Sequence, residues 1–275
     1  MANPLWKGSQ VIAAVATHLV GQDVPTDWVA NGVSIDTRDL KPGDIFVALP
    51  GEHVDGHEYV EAAFEAGAAA AFVRPDFASE SLPAKAVLLP VSDVLAALEA
   101  LGRAARERSQ AHIIAVTGSV GKTSVKETLS AALAKSGSVH ASERSFNNHI
   151  GVPLSLARLS AEADFAVFEL GMNHAGELTD LVDMVRPQCA IVTTIGTAHI
   201  ENFDNMTALA RAKAEIFSGL VEGGVAILPR DNAYYDELKQ GASQARIMDF
   251  SAEGNAQAQA FTAQVKLHEA CSCVT

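Results

Sequence analysis

An apolar strand, a glycine-containing loop and a helix follow one another directly near the middle of the chain. The apolar run 113–116 leads into the string TGSVGKTS, after which apolar residues recur at helical spacing. Glycines let backbone N–H groups approach phosphate oxygens, a helix N-terminus favours anions, Lys122 neutralises charge and the Thr123 hydroxyl can ligate Mg²⁺. The order favours a phosphate-binding loop over a merely structural glycine turn. Its predicted ATP-binding residues are Gly118, Ser119, Val120, Gly121, Lys122, Thr123 and Ser124.

The segments around this loop predict an α/β fold in two domains. Residues 1–90 carry short apolar runs separated by turn signals and predict a small N-terminal α/β domain. From residue 91 a helix and then alternating strands and helices follow, with strand strings HIIAVT, VHAS, DFAVFEL, AIVTTI, VAILP and RIMDF. Strands separated by helices imply crossover connections, so residues 91–275 predict a P-loop-type domain with a mostly parallel sheet.

Composition excludes several classes of protein. The 275 residues are 48% hydrophobic and 19% charged, as in ordinary globular proteins. A formal charge of −13 has the wrong sign for generic attraction to nucleic acid or to an anionic membrane. Three cysteines do not make a disulfide framework, the string MANPLWKGSQ lacks the uninterrupted apolar core typical of a signal peptide, and no stretch approaches the ~20 apolar residues of a membrane span. A cytoplasmic protein without nucleic-acid or membrane partners is expected.

Polar residues that follow the predicted strands are the remaining candidates, because ligands bind beyond the carboxyl ends of parallel strands. Glu169 could hold Mg²⁺ beside phosphates, although a glutamate at a strand end is more often solvated. For His199, Lys213 and Asn232 the residues alone favour a surface loop, a charged helix face and a turn. The Asn147-Asn148 pair could be a turn, or could offer donors and acceptors to a sugar or phosphate.

The form of the phosphate loop narrows these choices. A general P-loop has glycine five positions before Gly121, where this chain has Val116, so the loop is a short TGxxGKT variant. In this form the sequence resembles the Mur ligases and their folylpolyglutamate synthetase relatives, which disfavours a generic kinase or GTPase. Nearly the whole chain shares the resemblance, since further strings occur in the family's order. They are SxDTR, DGH, TGxxGKT, NNHIGVP, ELGMNHAGE, GTAHIE, AKAEIF and DN.

The resemblance assigns a role to each candidate. It implies Mg²⁺ ligation by Thr123, Glu169, His199 and a carbamylated Lys213, and a contact from Asn232 to adenine. It places Asn147 and Asn148 at the muramoyl substrate and the transferred phosphate. Lys122, Lys213 and His199 are the implied catalytic residues. For the nucleotide sugar, the implied binding residues in the first domain are Ser34, Asp36, Thr37 and Arg38.

The activity implied by the resemblance is an ATP-dependent ligation in peptidoglycan precursor synthesis. The terminal carboxylate of UDP-N-acetylmuramoyl-tripeptide would attack the γ-phosphate of ATP, and the amine of D-alanyl-D-alanine would then displace phosphate from the acyl phosphate. A monomer is expected. The family also has a third, Rossmann-like domain that we expect to be absent from these residues, so the chain alone is expected to bind UDP-muramoyl peptide or nucleotide weakly and to ligate poorly.

Two alternatives stay open. The related ligase that adds the third amino acid shares the architecture, although the DTR and NNHIGVP strings favour the D-alanyl-D-alanine enzyme. A non-catalytic nucleotide-binding module would have kept the phosphate loop alone. The presence of Glu169, His199 and Lys213 argues against such a module.

Overall fold

The protein was analysed as a computed structural model that describes residues 3–21, 24–51, 54–143, 146–263, 265–267 and 272–274. The chain forms two compact units. The first contains Met1–Ser109 and Pro153–Glu162, and the second contains Gln110–Val152 and Ala163–Thr275. Both units are α/β, as predicted. No helix among the described residues is both long enough and apolar enough to span a bilayer.

The first unit is built on a four-stranded parallel sheet in the order β3-β4-β5-β6, beside a short antiparallel pair β1-β2. Its strands are β1 (Trp6–Lys7), β2 (Val29–Ala30), β3 (Gly32–Ser34), β4 (Asp44–Val47), β5 (Ala70–Val73) and β6 (Leu88–Pro90). Its first three helices are α1 (Gly8–Ala14), α2 (Val60–Glu65) and α3 (Val94–Arg108). β4 and β5 are buried along their whole length, as expected for parallel strands covered on both faces.

The expected division at residue 90 differs from the observed one, because α3 packs within the first unit. Asp93 caps this helix by accepting a hydrogen bond from the backbone N–H of Ala96 at 2.9 Å. Its apolar face contacts α1 and β5. Leu98 and Leu101 are completely buried there. The packing of α3 within the first unit, and not the change of composition near Pro90, therefore sets where this unit ends.

A segment from the middle of the chain also belongs to the first unit. The indole N–H of Trp6 donates to Ala157 O at 2.9 Å, and Arg158 Nε donates to Val33 O at 2.6 Å. The Arg108 guanidinium lies 3.5 Å from the centroid of the Trp6 ring. Residues 153–162 are therefore attached by contacts to residues that precede them by 50 or more positions.

The second unit is a seven-stranded sheet whose strand pairs are all parallel, in the order β13-β12-β11-β10-β7-β9-β8. A separate antiparallel pair joins β14 to β15. The strands are β7 (His112–Thr117), β8 (Val139–Ala141), β9 (Phe165–Glu169), β10 (Cys189–Val192), β11 (Val225–Pro229), β12 (Arg246–Ser251), β13 (Ala260–Phe261), β14 (Val265–Leu267) and β15 (Ser272–Val274). The helices are α4 (Lys122–Leu133), α5 (Gly151–Ala157, shared with the first unit), α6 (Glu177–Val185), α7 (Met206–Ala214) and α8 (Tyr235–Gly241).

Strand order determines which loops meet. The chain leaves β7, forms the edge strand β8, returns to β9 beside β7, and then crosses to β10 on the other side of β7. Val116, Val167 and Ile191 form a buried cluster at the centre of this arrangement, and Val125 and Leu129 of α4 pack against it. The loops after β7, β9 and β10 consequently leave the same edge of the sheet, at the point where the strand order reverses.

Candidate functional site

The predicted phosphate loop lies between β7 and α4, in the strand–loop–helix order that the sequence indicates. Gly118 has φ +143° and Gly121 has φ +82°, which are backbone conformations that favour glycine. Gly121 is the N-cap of α4, and no side chain caps the helix, so its first N–H groups are available to an anion. The Lys122 ammonium donates to Gly118 O at 2.9 Å and is thus held over the loop.

Glu169 lies beside this loop because β9 pairs with β7, in a register that opposes Glu169 to Val116. Its side chain is only 2% exposed. Thr123 Oγ1 donates to Glu169 Oε2 at 2.8 Å, and Asn147 Nδ2 donates to Glu169 Oε1 at 2.8 Å. Both carboxylate oxygens therefore have a donor, and the hydroxyl and carboxylate that were predicted to ligate Mg²⁺ are adjacent.

Lys213 is buried in α7, with an exposure of 1%. Burial, and then the charge of Lys122, lower the pKa of Lys213 to about 8. The sequence favoured a solvated helix face for this residue, so the structure departs from that local interpretation. A buried lysine with a lowered pKa offers the neutral amine that reacts with carbon dioxide.

His199 has a left-handed backbone conformation, with φ +67°, and begins a short 3-10 helix at Ile200–Asn202. Its side chain is half-buried. A non-glycine residue in this conformation is uncommon and is often found at functional sites. His199 therefore differs from the ordinary surface-loop residue that its local sequence favours.

The predicted ligands Ser119 and Asn232 both contact the segment that follows β10. Ser119 Oγ is hydrogen-bonded to the backbone of Gly196, and Asn232 Nδ2 is hydrogen-bonded to Thr194 and Ile195. Local sequence patterns could not predict these contacts, because they join residues 37 to 77 positions apart.

The other predicted residues of the second unit are placed less distinctively. Val120 is 64% exposed at the tip of the loop, and Ser124 is exposed in the first turn of α4. Asn148 is exposed, and its Oδ1 accepts hydrogen bonds from the N–H groups of Ile150 and Gly151 at the start of α5. Of the adjacent asparagines, only Asn147 thus contacts Glu169.

The donor set suits Mg²⁺ only in combination with phosphate. Among the described residues no group of three or more His, Cys, Asp and Glu side chains could hold a metal ion. Thr123 and Glu169 supply two oxygens, and Mg²⁺ is commonly bound by one or two protein groups together with substrate phosphates and water. The residues present therefore fit a metal that arrives with a nucleotide, and a carbamate on Lys213 would add further oxygens.

A second candidate site lies in the first unit. A cavity of about 420 Å³ is lined by Asp36, Thr37 and Arg38 on one side and by apolar residues that include Phe46 and Leu49. Arg38 is 87% exposed and forms a two-pronged ion pair with Asp36, with distances of 2.9 Å and 2.6 Å. A guanidinium fixed in this way can offer its free edge to a phosphate.

Ser34 differs from the other three residues predicted to bind the nucleotide sugar. It is 1% exposed, and its hydroxyl donates to Asp36 O at 2.9 Å. The cavity lining does not include Ser34. Its observed contact shapes the turn that presents Asp36 and Arg38.

One polar network beside this cavity was not foreseen, although its DGH string was noticed. The ring of His57 is buried, and its Nδ1 lies 2.6 Å from Asp55 Oδ1. Arg74 donates through its backbone N–H to His57 Nε2 and through its guanidinium to Asp55 Oδ2. The backbone hydrogen bond from His57 is the largest of the contacts that lower the pKa of Asp55 to about 2. These contacts hold the wall of the cavity that contains Gly56.

Comparisons with known proteins agree with the two units. The family profile for the Mur ligase middle domain matches residues 116–274, and the profile described as the Mur ligase family, catalytic domain, matches residues 29–106. UDP-N-acetylmuramoyl-tripeptide--D-alanyl-D-alanine ligase from Escherichia coli is 42% identical over 224 residues, which are 82% of this chain and 48% of that protein. The ligase of the same name from Synechocystis sp. is 39% identical, over 82% of this chain and 49% of that protein.

A solved structure also resembles this chain over nearly its whole length. The crystal structure of MurF from Acinetobacter baumannii is 32% identical and superimposes with a TM-score of 0.84, covering 99% of this chain and 58% of that one. The chain spans about half the length of the curated relatives that it matches.

Proposed function

This chain belongs to the Mur ligase family, and we propose that it supplies the ATP site and a nucleotide-sugar site of a ligase that joins D-alanyl-D-alanine to UDP-N-acetylmuramoyl-tripeptide. The observation that carries the ATP site is the contact of Glu169 with Thr123, directly beside Lys122 and the glycine loop. Relatives that carry this ligase name support the choice of substrates.

The proposed reaction needs two anions to meet. The terminal carboxylate of the tripeptide attacks the γ-phosphate of ATP, forming a C–O–P bond while ADP leaves. The amine of D-alanyl-D-alanine then attacks the acyl carbon, loses a proton, and inorganic phosphate leaves. Lys122 and the N–H groups at the start of α4 would offset repulsion between carboxylate and triphosphate and stabilise the transferred phosphoryl group.

The metal in this proposal is Mg²⁺, which neutralises developing phosphate charge when bound. Thr123, Glu169, His199 and a carbamate on Lys213 are the groups that would hold it. Asn147 keeps Glu169 oriented through its 2.8 Å hydrogen bond. The low exposure of Glu169 and Lys213 reduces competition from water at these ligands.

The first-unit cavity is the proposed site for the uridine diphosphate part of the substrate. Asp36, Thr37 and Arg38 supply polar groups, while Phe46 and Leu49 supply apolar surface. A lining that combines apolar surface with a few placed polar groups suits a small-molecule ligand. An arginine at its rim suits a diphosphate.

The alternatives are the ligase that adds the third amino acid and a nucleotide-binding module without ligase activity. The buried Glu169 and Lys213 favour a ligase over a module, because a module that only held nucleotide would not need a buried lysine with a lowered pKa. Identity to the curated D-alanyl-D-alanine ligases favours that enzyme over the other ligase.

Two binding measurements on this chain test the proposal. Calorimetric titration with Mg-ATP should show binding that Lys122→Ala weakens by about 10- to 100-fold and Arg38→Ala leaves intact, whereas titration with UDP-N-acetylmuramoyl-tripeptide should show the reverse dependence. Binding of neither ligand to the folded chain would refute the proposal. A ligation assay on the protein that carries this sequence, offering D-alanyl-D-alanine or meso-diaminopimelate, then separates the two ligases by the amine incorporated.

A further inference from the structure

A short segment after β10 lies between the phosphate loop and the chain that follows β11. It consists of Thr193–Gly196 and leads, three residues later, to His199. We propose that this linking segment is held from its two sides by the side chains of Ser119 and Asn232, and that both act as positioning residues for the loop that carries His199. The expected effect on metal-dependent nucleotide binding rests on the function proposed above.

Ser119 holds the linking segment from the phosphate loop. Its hydroxyl donates to Gly196 O at 2.9 Å and accepts from Gly196 N at 2.9 Å. Its backbone N–H donates to Thr194 O at 2.9 Å. In return, Thr193 Oγ1 donates to Val120 O at 2.6 Å. Ser119 is 7% exposed, and the single proton of its hydroxyl is already donated within the protein.

Asn232 holds the linking segment from the other side, on the turn after β11. One Nδ2 group donates to Thr194 Oγ1 at 3.2 Å and to Ile195 O at 3.0 Å. Its Oδ1 accepts from the backbone N–H of Tyr234 at 3.0 Å. A side-chain amide has two N–H donors, so both are committed to the linking segment. The sequence analysis implied a contact of Asn232 with adenine and did not predict these hydrogen bonds to the linking segment.

The linking segment is irregular, so these side chains replace the hydrogen bonds that a strand would supply. Removing the Ser119 or the Asn232 side chain leaves a partly buried backbone group without its hydrogen-bond partner, which raises the free energy of the folded segment. The loop that carries His199 must also be well ordered, because the left-handed backbone of His199 persists only where surrounding contacts maintain it. A loosened linking segment is therefore expected to release His199 from its observed conformation.

Two residues that act through one segment have coupled effects. If Ser119 and Asn232 instead served only as separate nucleotide ligands, their substitutions would be independent and would leave the nucleotide-free protein unchanged at Gly196. If both brace the linking segment, loss of either loosens it before any ligand is present. The amide of Gly196 reports this directly, because its acceptor is Ser119 and not Asn232.

Hydrogen exchange at the Gly196 amide in the nucleotide-free chain is the test. Ser119→Ala should accelerate exchange by about tenfold or more, since one partly buried hydrogen bond is lost. Asn232→Ala and the near-isosteric Asn232→Asp should also accelerate it, although neither touches that amide. Ser119→Thr, which keeps a hydroxyl, should restore slow exchange. An unchanged Gly196 rate in both folded Asn232 variants would overturn the proposal.

Matched controls lie in the same unit. Ser130→Ala removes a hydroxyl that bonds Lys126 O within α4, and Asn255→Ala removes an amide whose Oδ1 accepts from Gln257 N. Neither control should change exchange at Gly196. Each variant is first checked for a cooperative thermal unfolding transition, so that local loosening is separated from loss of the fold.

Nucleotide affinity supplies the second readout. The ratio of ATP affinity with Mg²⁺ to that in EDTA should fall in Ser119→Ala and Asn232→Asp but not in the two controls, because His199 is a proposed metal ligand. If the affinity ratio is unchanged while exchange at the Gly196 amide is faster, both residues have only a structural role and the positioning claim is overturned. Failure of the unsubstituted chain to bind ATP would instead refute the proposed function, while the exchange result would still decide whether the linking segment is braced.

Discussion

Thr123 Oγ1 and Glu169 Oε2 are joined by a 2.8 Å hydrogen bond, although 46 residues separate them in the chain. Thr123 belongs to the first turn of α4, and Glu169 ends β9. Pairing of β9 with β7 brings them together, and the amide of Asn147 occupies the other carboxylate oxygen. The Thr123 hydroxyl and the Glu169 carboxylate thus place oxygen atoms directly beside the glycine loop and Lys122, which are the groups suited to bind phosphates.

Lys122→Ala should weaken ATP binding by about 10- to 100-fold, since a hydrogen bond to a charged group is worth roughly 1.5–3 kcal/mol. Titration calorimetry with Mg-ATP measures the change. Lys135→Ala, which removes an exposed lysine just after α4, is the matched control and should bind as the unsubstituted chain does. Equal affinities for the two variants would exclude Lys122 as a phosphate ligand.

Gly118→Ala should disrupt the phosphate loop even though it adds a single methyl group. The residue has φ +143°, and a Cβ there would collide with Thr193 Oγ1. We expect loss of measurable ATP binding and a lowered melting temperature. Gly223→Ala is a useful comparison, because Gly223 also has positive φ, at +74°, but nothing lies near its would-be Cβ. Gly118→Ala binding ATP as well as Gly223→Ala does would contradict this account.

Lys213→Met should stabilise the protein at neutral pH in buffer free of carbon dioxide. Burial and Lys122 lower the pKa of Lys213 from 10.5 to about 8, so the unfolded chain binds more protons than the folded protein between these values. The stability of the unsubstituted protein relative to the variant therefore rises with pH through this window, by an amount on the order of 3 kcal/mol. Urea unfolding from pH 7 to 10.5 measures it, and a constant difference would count against a buried charge.

Carbamylation of Lys213 should be visible when the chain is supplied with ¹³C-bicarbonate. At pH 8 roughly half of this amine is neutral, compared with well under one per cent of an ordinary lysine. We expect a carbamate carbon resonance that is absent from Lys213→Arg, whose guanidinium does not form one. The same resonance in Lys213→Arg would assign the signal to another amine.

Asn147→Ala should cost about 1–3 kcal/mol of unfolding free energy, because it leaves a buried oxygen of Glu169 without its donor. Asn148→Ala removes the groups that cap the start of α5 and should cost about 1 kcal/mol. Only the first variant should also weaken the Mg²⁺ dependence of ATP binding. The comparison is sharp because the two asparagines are adjacent. An identical loss of Mg²⁺ dependence in both variants would argue against a special contact at Glu169.

Local chemistry explains why much of the site could be predicted from sequence. The string from Thr117 to Ser124 combines glycines, a lysine and a hydroxyl within one strand–loop–helix unit, so it is recognisable from local sequence even though residues 193–196 also contact the loop. Strands such as β7 and β11 were predicted at their observed bounds, because short apolar runs between turn signals are recognisable locally. The resemblance then assigned roles to Glu169, His199 and Lys213 that their local patterns did not favour.

The α/β class, the phosphate loop and the set of polar residues at strand ends can therefore be inferred from the sequence alone. Which of those residues contact one another depends on the tertiary fold. The pairing of Val116 with Glu169, the two-sided hold on the linking segment and the attachment of residues 153–162 to the first unit all join distant parts of the chain. Strand order and helix docking follow from the burial of apolar surface across the whole unit, whereas a sequence pattern reports only on neighbours along the chain.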